Sequence, residues 1–491
     1  MKKIRFVFML LLVVAVLCSC TNMDYQKVIP ANASLVMKVD LGSMFKKADF
    51  QHSETMKTLE QALSIAVKKE DTKKMKAYME DPSAMGLDFG MPAYIFLVNN
   101  ELGGITIKVS NKNDLGKFFQ SLQKQGIATK PVEKDGMMCG TLFNEISYSY
   151  DGTACLLMAS LKGRSGTTVS RLARDLMNQK EDDSFVNTEA YSRLNDVNGD
   201  VALYLNVASL PQEVMTPLML VLPEKLNPTE VDVVVGLTFE DDGKALLKAR
   251  VMGKTDEANE IIDGADDNWD EIDGEFINKV SDKMLMWFCA NVKGEWLLER
   301  LKGIPTCKEM LFMMERAIDI EQMLKAVDGD IAVELQKDCR QPECVAYAEL
   351  KNTDFLEDVD YWRSSMKDYG ITMTTLSKDM YQLNIEEKSY VWGVEKQNLF
   401  MATAAAERQY TEKENLLKPY AKQMKESKFF GYINLASMVK EGLKCHSGGM
   451  IMEEKLMKVM KTLVVTVSSA NEMTLTLELQ NDNENFLKQL F

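Results

Sequence analysis

Two serines stand one helical turn before a lysine: Ser43-Met-Phe-Lys46 and Ser437-Met-Val-Lys440. On a helix that spacing sets an amine beside a hydroxyl, the arrangement by which a lysine activates a serine nucleophile. The S-D-N and K-T-G elements that accompany such a serine are absent, and both serines fall where a helix opens, so capping accounts for them. The only two histidines, His52 and His446, have no third partner at a triad spacing and read as surface or loop residues. Asp266, Asn268 and Asp270 alternate like the first turn of a calcium loop. Glu271 stands where that loop needs Gly, however, and Ile277 where it needs Glu, which leaves a loose metal candidate in an acidic stretch. All five tryptophans lie from Trp269 onward, and Trp392 in Ser-Tyr-Val-Trp-Gly is the candidate for an exposed, glycan-stacking platform. No G-x-S-x-G, H-E-x-x-H, P-loop or dinucleotide fingerprint occurs, and no cofactor or catalytic residue is expected.

The N-terminus carries the sharpest signal. Lys2, Lys3 and Arg5 precede an apolar run from Phe6 to Leu17. That run is shorter than the roughly 20 residues that span a bilayer, and has the form of an export signal. Leu17-Cys18-Ser19-Cys20 resembles the bacterial lipobox. By that resemblance residues 1–19 are a signal peptide, Cys20 is the lipidated N-terminus, carrying palmitate-type acyl chains, and residues 20–28 are a tether. Two or three acyl chains hold a protein durably, at about 0.8 kcal/mol per buried methylene.

The formal charge is -15, and it becomes -18 once Lys2, Lys3 and Arg5 are removed with the signal. A chain this acidic is repelled by nucleic acid. Hydrophobic residues at 46% and few Pro and Gly point to a folded protein of two to four domains. Seven cysteines follow Cys20 without a C-x-x-C pair, so a structural zinc site is not expected. Cys339 and Cys344 flank a turn that a disulfide would fit, but unpaired, partly buried thiols are the preferred reading.

What must position any site is a repeated phrase. MKVDLGSM at 37–44, LYLNVASL at 203–210, FCANVKGEW at 288–296 and YINLASMV at 432–439 each read as strand, Asn or Asp, apolar residue, helix opening. Each is followed by a helical region, two strands around a polar turn, and a capped helix. Asn206 and Asn434 lie 228 positions apart, as do Ala245 and Met473. The fold class is α+β: a tandem duplication of β-α-β-β-α units forming mainly antiparallel sheets covered by helices. The first half spans 29–262, with units about 33–165 and 199–262. An acidic linker covers 263–277, and the second half spans 278–491, with units about 282–404 and 427–491. Asn or Asp at each junction satisfies the first free helical N–H groups, worth about 1 kcal/mol relative to Ala.

The stretch Val28-Ile-Pro-Ala-Asn-Ala-Ser-Leu-Val-Met-Lys-Val-Asp-Leu behind the lipobox resembles the start of a family of Bacteroidota envelope lipoproteins, domain of unknown function 4836. The resemblance implies a protein anchored to the outer membrane by its N-terminal lipid, and brings no catalytic residue with it. Asp24 is the only acid in the tether, and surface-export signals in such lipoproteins are acid-rich, so the periplasmic face is favoured over the cell surface. The expected function is a non-catalytic binding or assembly scaffold for a protein, peptide or glycan. The rival is an envelope-polymer hydrolase with a site built from scattered carboxylates.

Overall fold

The computed structural model describes residues 24–54, 56–58, 74, 76–78, 80–163, 166–210, 226–315, 318–336, 343–406, 415–440 and 459–490. The chain forms two compact units, Met1–Ser209 with Phe491 and Leu210–Leu490. The fold is α+β, with antiparallel strand pairing throughout both units.

The first unit holds β1 (Ala33–Val39), β2 (Ala93–Val98), β3 (Leu102–Lys108), β4 (Val132–Lys134), β5 (Met137–Leu142), β6 (Ile146–Tyr150), β7 (Ala154–Ser160) and β8 (Val201–Asn206). Their ladder runs β8-β1-β2-β3-β7-β6-β5-β4. β1 ends at Asp40, whose carboxylate accepts the Ser43 N–H at 2.8 Å and so starts helix α1 (Leu41–Lys47). Apolar residues three and four apart on helix α2 (Lys112–Lys124) bury Leu115, Phe119 and Leu122. Phe119 stacks on Tyr148 with centroids 4.1 Å apart, closing one face of the sheet over β6.

The second unit holds β9 (Val231–Phe239), β10 (Lys244–Gly253), β11 (Trp269–Asp270), β12 (Met286–Lys293), β13 (Val327–Leu335), β14 (Cys344–Leu350), β15 (Ile371–Ser377), β16 (Met380–Ile385), β17 (Lys388–Glu395), β18 (Asn398–Thr403), β19 (Phe429–Ile433), β20 (Met460–Ser469) and β21 (Glu472–Leu479). The run β19-β12-β13-β14-β18-β17-β16-β15 repeats, pairing for pairing, the ladder of the first unit. On the other side of β19 the order continues β20-β21-β10-β9. β10 and β21, the equivalent strands of the duplication, pair with each other, and Leu247 faces Leu475, its own counterpart 228 positions on. The core on one sheet face gathers Trp287, Phe430, Tyr347 and Phe276.

Two expectations need correction. The third junction is not a helix start: β12 runs through Asn291 to Lys293, and the helix Gly294–Gly303 follows. Asn291 is buried beside β11 and donates to the Glu271 carbonyl at 3.0 Å, so its amide is spent holding the neighbouring segment. The acidic stretch 263–277 is not a free linker. Trp269 and Asp270 pair with β12, and Ile272 and Phe276 are core residues. The compact units divide at Ser209 and Leu210 instead, because β10 finds its second partner in β21.

Candidate functional site

Most residues with chemical potential are occupied by architecture. Ser43 donates its hydroxyl proton to Asp200 at 2.7 Å, and Lys47, not Lys46, pairs with that same carboxylate at 2.7 Å. Ser437 offers its backbone N–H to Asn434 at 3.0 Å, and the Lys440 side chain lies outside the described residues. His52 is exposed, with Nδ1 2.7 Å from Asp49. His446 and Cys20 lie outside the described residues. Asn268 closes a 3-10 turn (Ala265–Asn268) and Asp270 sits opposite Asn291 in β11; the Asp266 side chain is not described. Trp392 is not the exposed platform that its sequence context suggested. It is 2% exposed and stacks on Tyr381 at 4.7 Å, because β17 turns that face towards the helix Val359–Lys367. Cys139, Cys155 and Cys289 are buried free thiols; burial pushes Cys155 up to about 12.

Among the described residues, the carboxylates that converge are Asp273, Asp330 and Glu349, whose nearest oxygens lie within 4.8 Å of one another. Asp330, fully buried, accepts the backbone N–H groups of Asp273, Gly274 and Glu275 at 3.0, 2.7 and 3.1 Å. Glu349 accepts the Asp330 N–H at 2.7 Å. Burial, opposed in part by these bonds, holds both carboxyls above the usual carboxylate range. Nearby, the buried Glu334 takes both the N–H and the hydroxyl of Ser281, with Gln336 as a third donor. These acids tie the 272–284 segment to β13. Their separation in sequence hid them, since Asp273 and Asp330 meet only through the sheet.

A different feature marks the surface. An antiparallel sheet normally sets apolar residues on its covered face and polar ones on the other. Here both faces are apolar. In the first unit Tyr204, Val36 and Phe96 form a closed row, while Leu203, Met37, Ile95, Ile105 and Leu157 form a row on the opposite face. Ile95 and Ile105 are each 37% exposed. In the second unit the row Leu237, Leu247, Leu475, Val465, Gly431, Phe288, Val333, Ala346, Met401 crosses nine strands without a polar residue. Eight inter-strand steps of about 4.8 Å make it roughly 38 Å long. Except for Gly431 these residues are half-buried or exposed. Met438 covers one corner of this face, over Met286 and Ile433.

A model for a domain of unknown function (DUF4836) matches residues 25–487. The chain belongs to the DUF4836 family. The match takes in both compact units of this DUF4836 chain, the acid cluster and the two apolar rows. No curated protein matches it. Among solved structures, crystal forms I, III and IV of TP0453 are similar at 10%, 8% and 9% identity, with TM-scores of 0.27, 0.26 and 0.26. The matches cover 50%, 50% and 46% of this chain and 87%, 86% and 79% of those chains. Among the described residues of the DUF4836 chain, no helix is long and apolar enough to cross a membrane.

Proposed function

We propose that this protein is a lipid-anchored envelope protein of the Bacteroidota type, held at the periplasmic face of the outer membrane through Cys20, and that it works as a non-catalytic binding scaffold. The observation that carries the binding half of this reading is the second apolar face of each sheet. Left to water, such a face forgoes about 25 cal/mol for every Å² a partner would cover. Of the three converging acids, Asp330 and Glu349 accept backbone amides, and Asp330 has no exposed surface for a substrate to meet. The lipobox supports the anchoring half.

Two measurements test the proposal. In cells fed labelled palmitate, the chain takes up label and sediments with membranes, and Cys20→Ala abolishes both; label retained in that variant refutes the anchor. A photo-crosslinking residue placed at Ile105 or Leu475 yields one discrete adduct, whereas one placed at the exposed Lys57 yields none. Failure to form an adduct, together with turnover of an envelope polymer that Glu349→Gln removes, would turn the assignment to the hydrolase.

A further inference from the structure

Beyond that scaffold role, and independently of it, we infer that the first unit carries a small-molecule site beside α1, built for a single-chain amphiphile with one anionic head. A cavity of about 520 Å³ opens there, within the usual range for small-ligand pockets. Its wall is aromatic and thioether: Phe45, Phe50, Phe89, Met56, Met85 and Tyr78. Phe45 stands 5.3 Å from Phe50 and 6.4 Å from Phe89, yet remains 38% exposed, facing a space its neighbours do not fill. Met56 is buried, and Tyr78 packs edge-on against Phe118 at 5.2 Å. Unbranched methionines let such a wall adapt to a flexible chain.

The rim decides the head group. Asp49 is engaged by His52 at 2.7 Å, and Gln51 donates to the Glu80 carbonyl at 2.9 Å. Lys46 lines the same cavity, is exposed, and makes no ion pair among the described residues. An exposed cation at the mouth of an apolar cavity complements a carboxylate whose chain enters the pocket. The fit depends on a close backbone approach: a Cβ on Gly42 would lie 2.8 Å from the Phe89 carbonyl oxygen, so glycine lets α1 settle against the 86–91 loop.

The probe is dodecanoate, titrated calorimetrically into the full chain. We expect saturable binding with one site per chain. Phe45→Arg should abolish it and Phe45→Leu preserve it, while Lys46→Glu weakens it about five-fold. Dodecanol, with the same chain and no charge, should bind about as weakly to the unaltered protein as dodecanoate does to Lys46→Glu. Phe45 and Lys46 are both exposed, so an unchanged melting temperature separates loss of binding from loss of fold. No dodecanoate binding, affinity indifferent to both substitutions, or equal affinity for dodecanol would each overturn the inference. So would dimerisation that Phe45→Arg relieves, which would assign the cavity to a second copy. None of these outcomes bears on crosslinking at Ile105 or Leu475, so the two proposals fail separately.

Discussion

One carboxylate, Asp330, holds three consecutive backbone amides, which have no other acceptor among the described residues. Each of these part-buried bonds is made to a carboxylate, and a hydrogen bond to a charged group contributes about 1.5–3 kcal/mol. Asp330→Ala should therefore destabilise the protein by about 3 kcal/mol or more, read as a lowered urea midpoint. Its neighbour Glu349 gives a prediction in pH. Burial raises the carboxyls of Asp330, Glu334 and Glu349. The folded state thus holds their protons more tightly than the unfolded chain does. Stability from this source is full below the ordinary carboxylate value of about 4 and is lost as pH rises through the raised values. Glu349→Gln removes one of these ionisations, so it should raise the urea midpoint at pH 8 relative to the unaltered protein and do so less at pH 5. A midpoint shift equal at both pH values would contradict this.

The junctions belong to the scale of the element. Asp40, Asn206 and Asn434 each accept a backbone N–H two or three residues on, at 2.8, 3.1 and 3.0 Å. Asn434→Ala should cost about 1 kcal/mol in chemical denaturation. Asn291→Ala acts through a different bond, to the Glu271 carbonyl, and should loosen the 269–272 segment, seen as faster amide exchange there. Nearly every long strand was legible from sequence, because short runs of apolar, β-branched and aromatic residues stand between polar turns such as Glu240-Asp241-Asp242-Gly243. The two-residue β11 and three-residue β4 were not legible, since segments so short hold no periodicity. Asn291 misled because a capping residue and a buried strand amide look alike until the partner arrives from elsewhere. Trp392 misled because alternation assigns a face but not what lies over it. The acid cluster and the cavity beside α1 were both invisible, as each joins residues from separate elements.

At the scale of the whole molecule, the boundary at Ser209 predicts how the chain can be cut. A protein ending at Ser209 should melt cooperatively, since β1 to β8 find all their ladder partners within it. One ending at residue 262 keeps the β9–β10 hairpin but removes β21, and leaves the β10 edge open. Isolated hairpins are marginal and open edges recruit other chains, so that product should elute as aggregates in size exclusion. Equal behaviour of the two products would place the boundary elsewhere.

The β10–β21 ladder has a consequence for which chains can join. Its register sets Lys244 against Glu478 and Arg250 against Glu472, and the second of these pairs is an ion pair. Were β10 to meet the β10 of another molecule about the same centre, Lys244 would face Arg250. Two β21 strands would likewise oppose Glu472 to Glu478. Like charges directly opposite repel, so each edge rejects its own kind and accepts the other. The protein thereby carries an internal two-fold seam that refuses strangers built from the same strand.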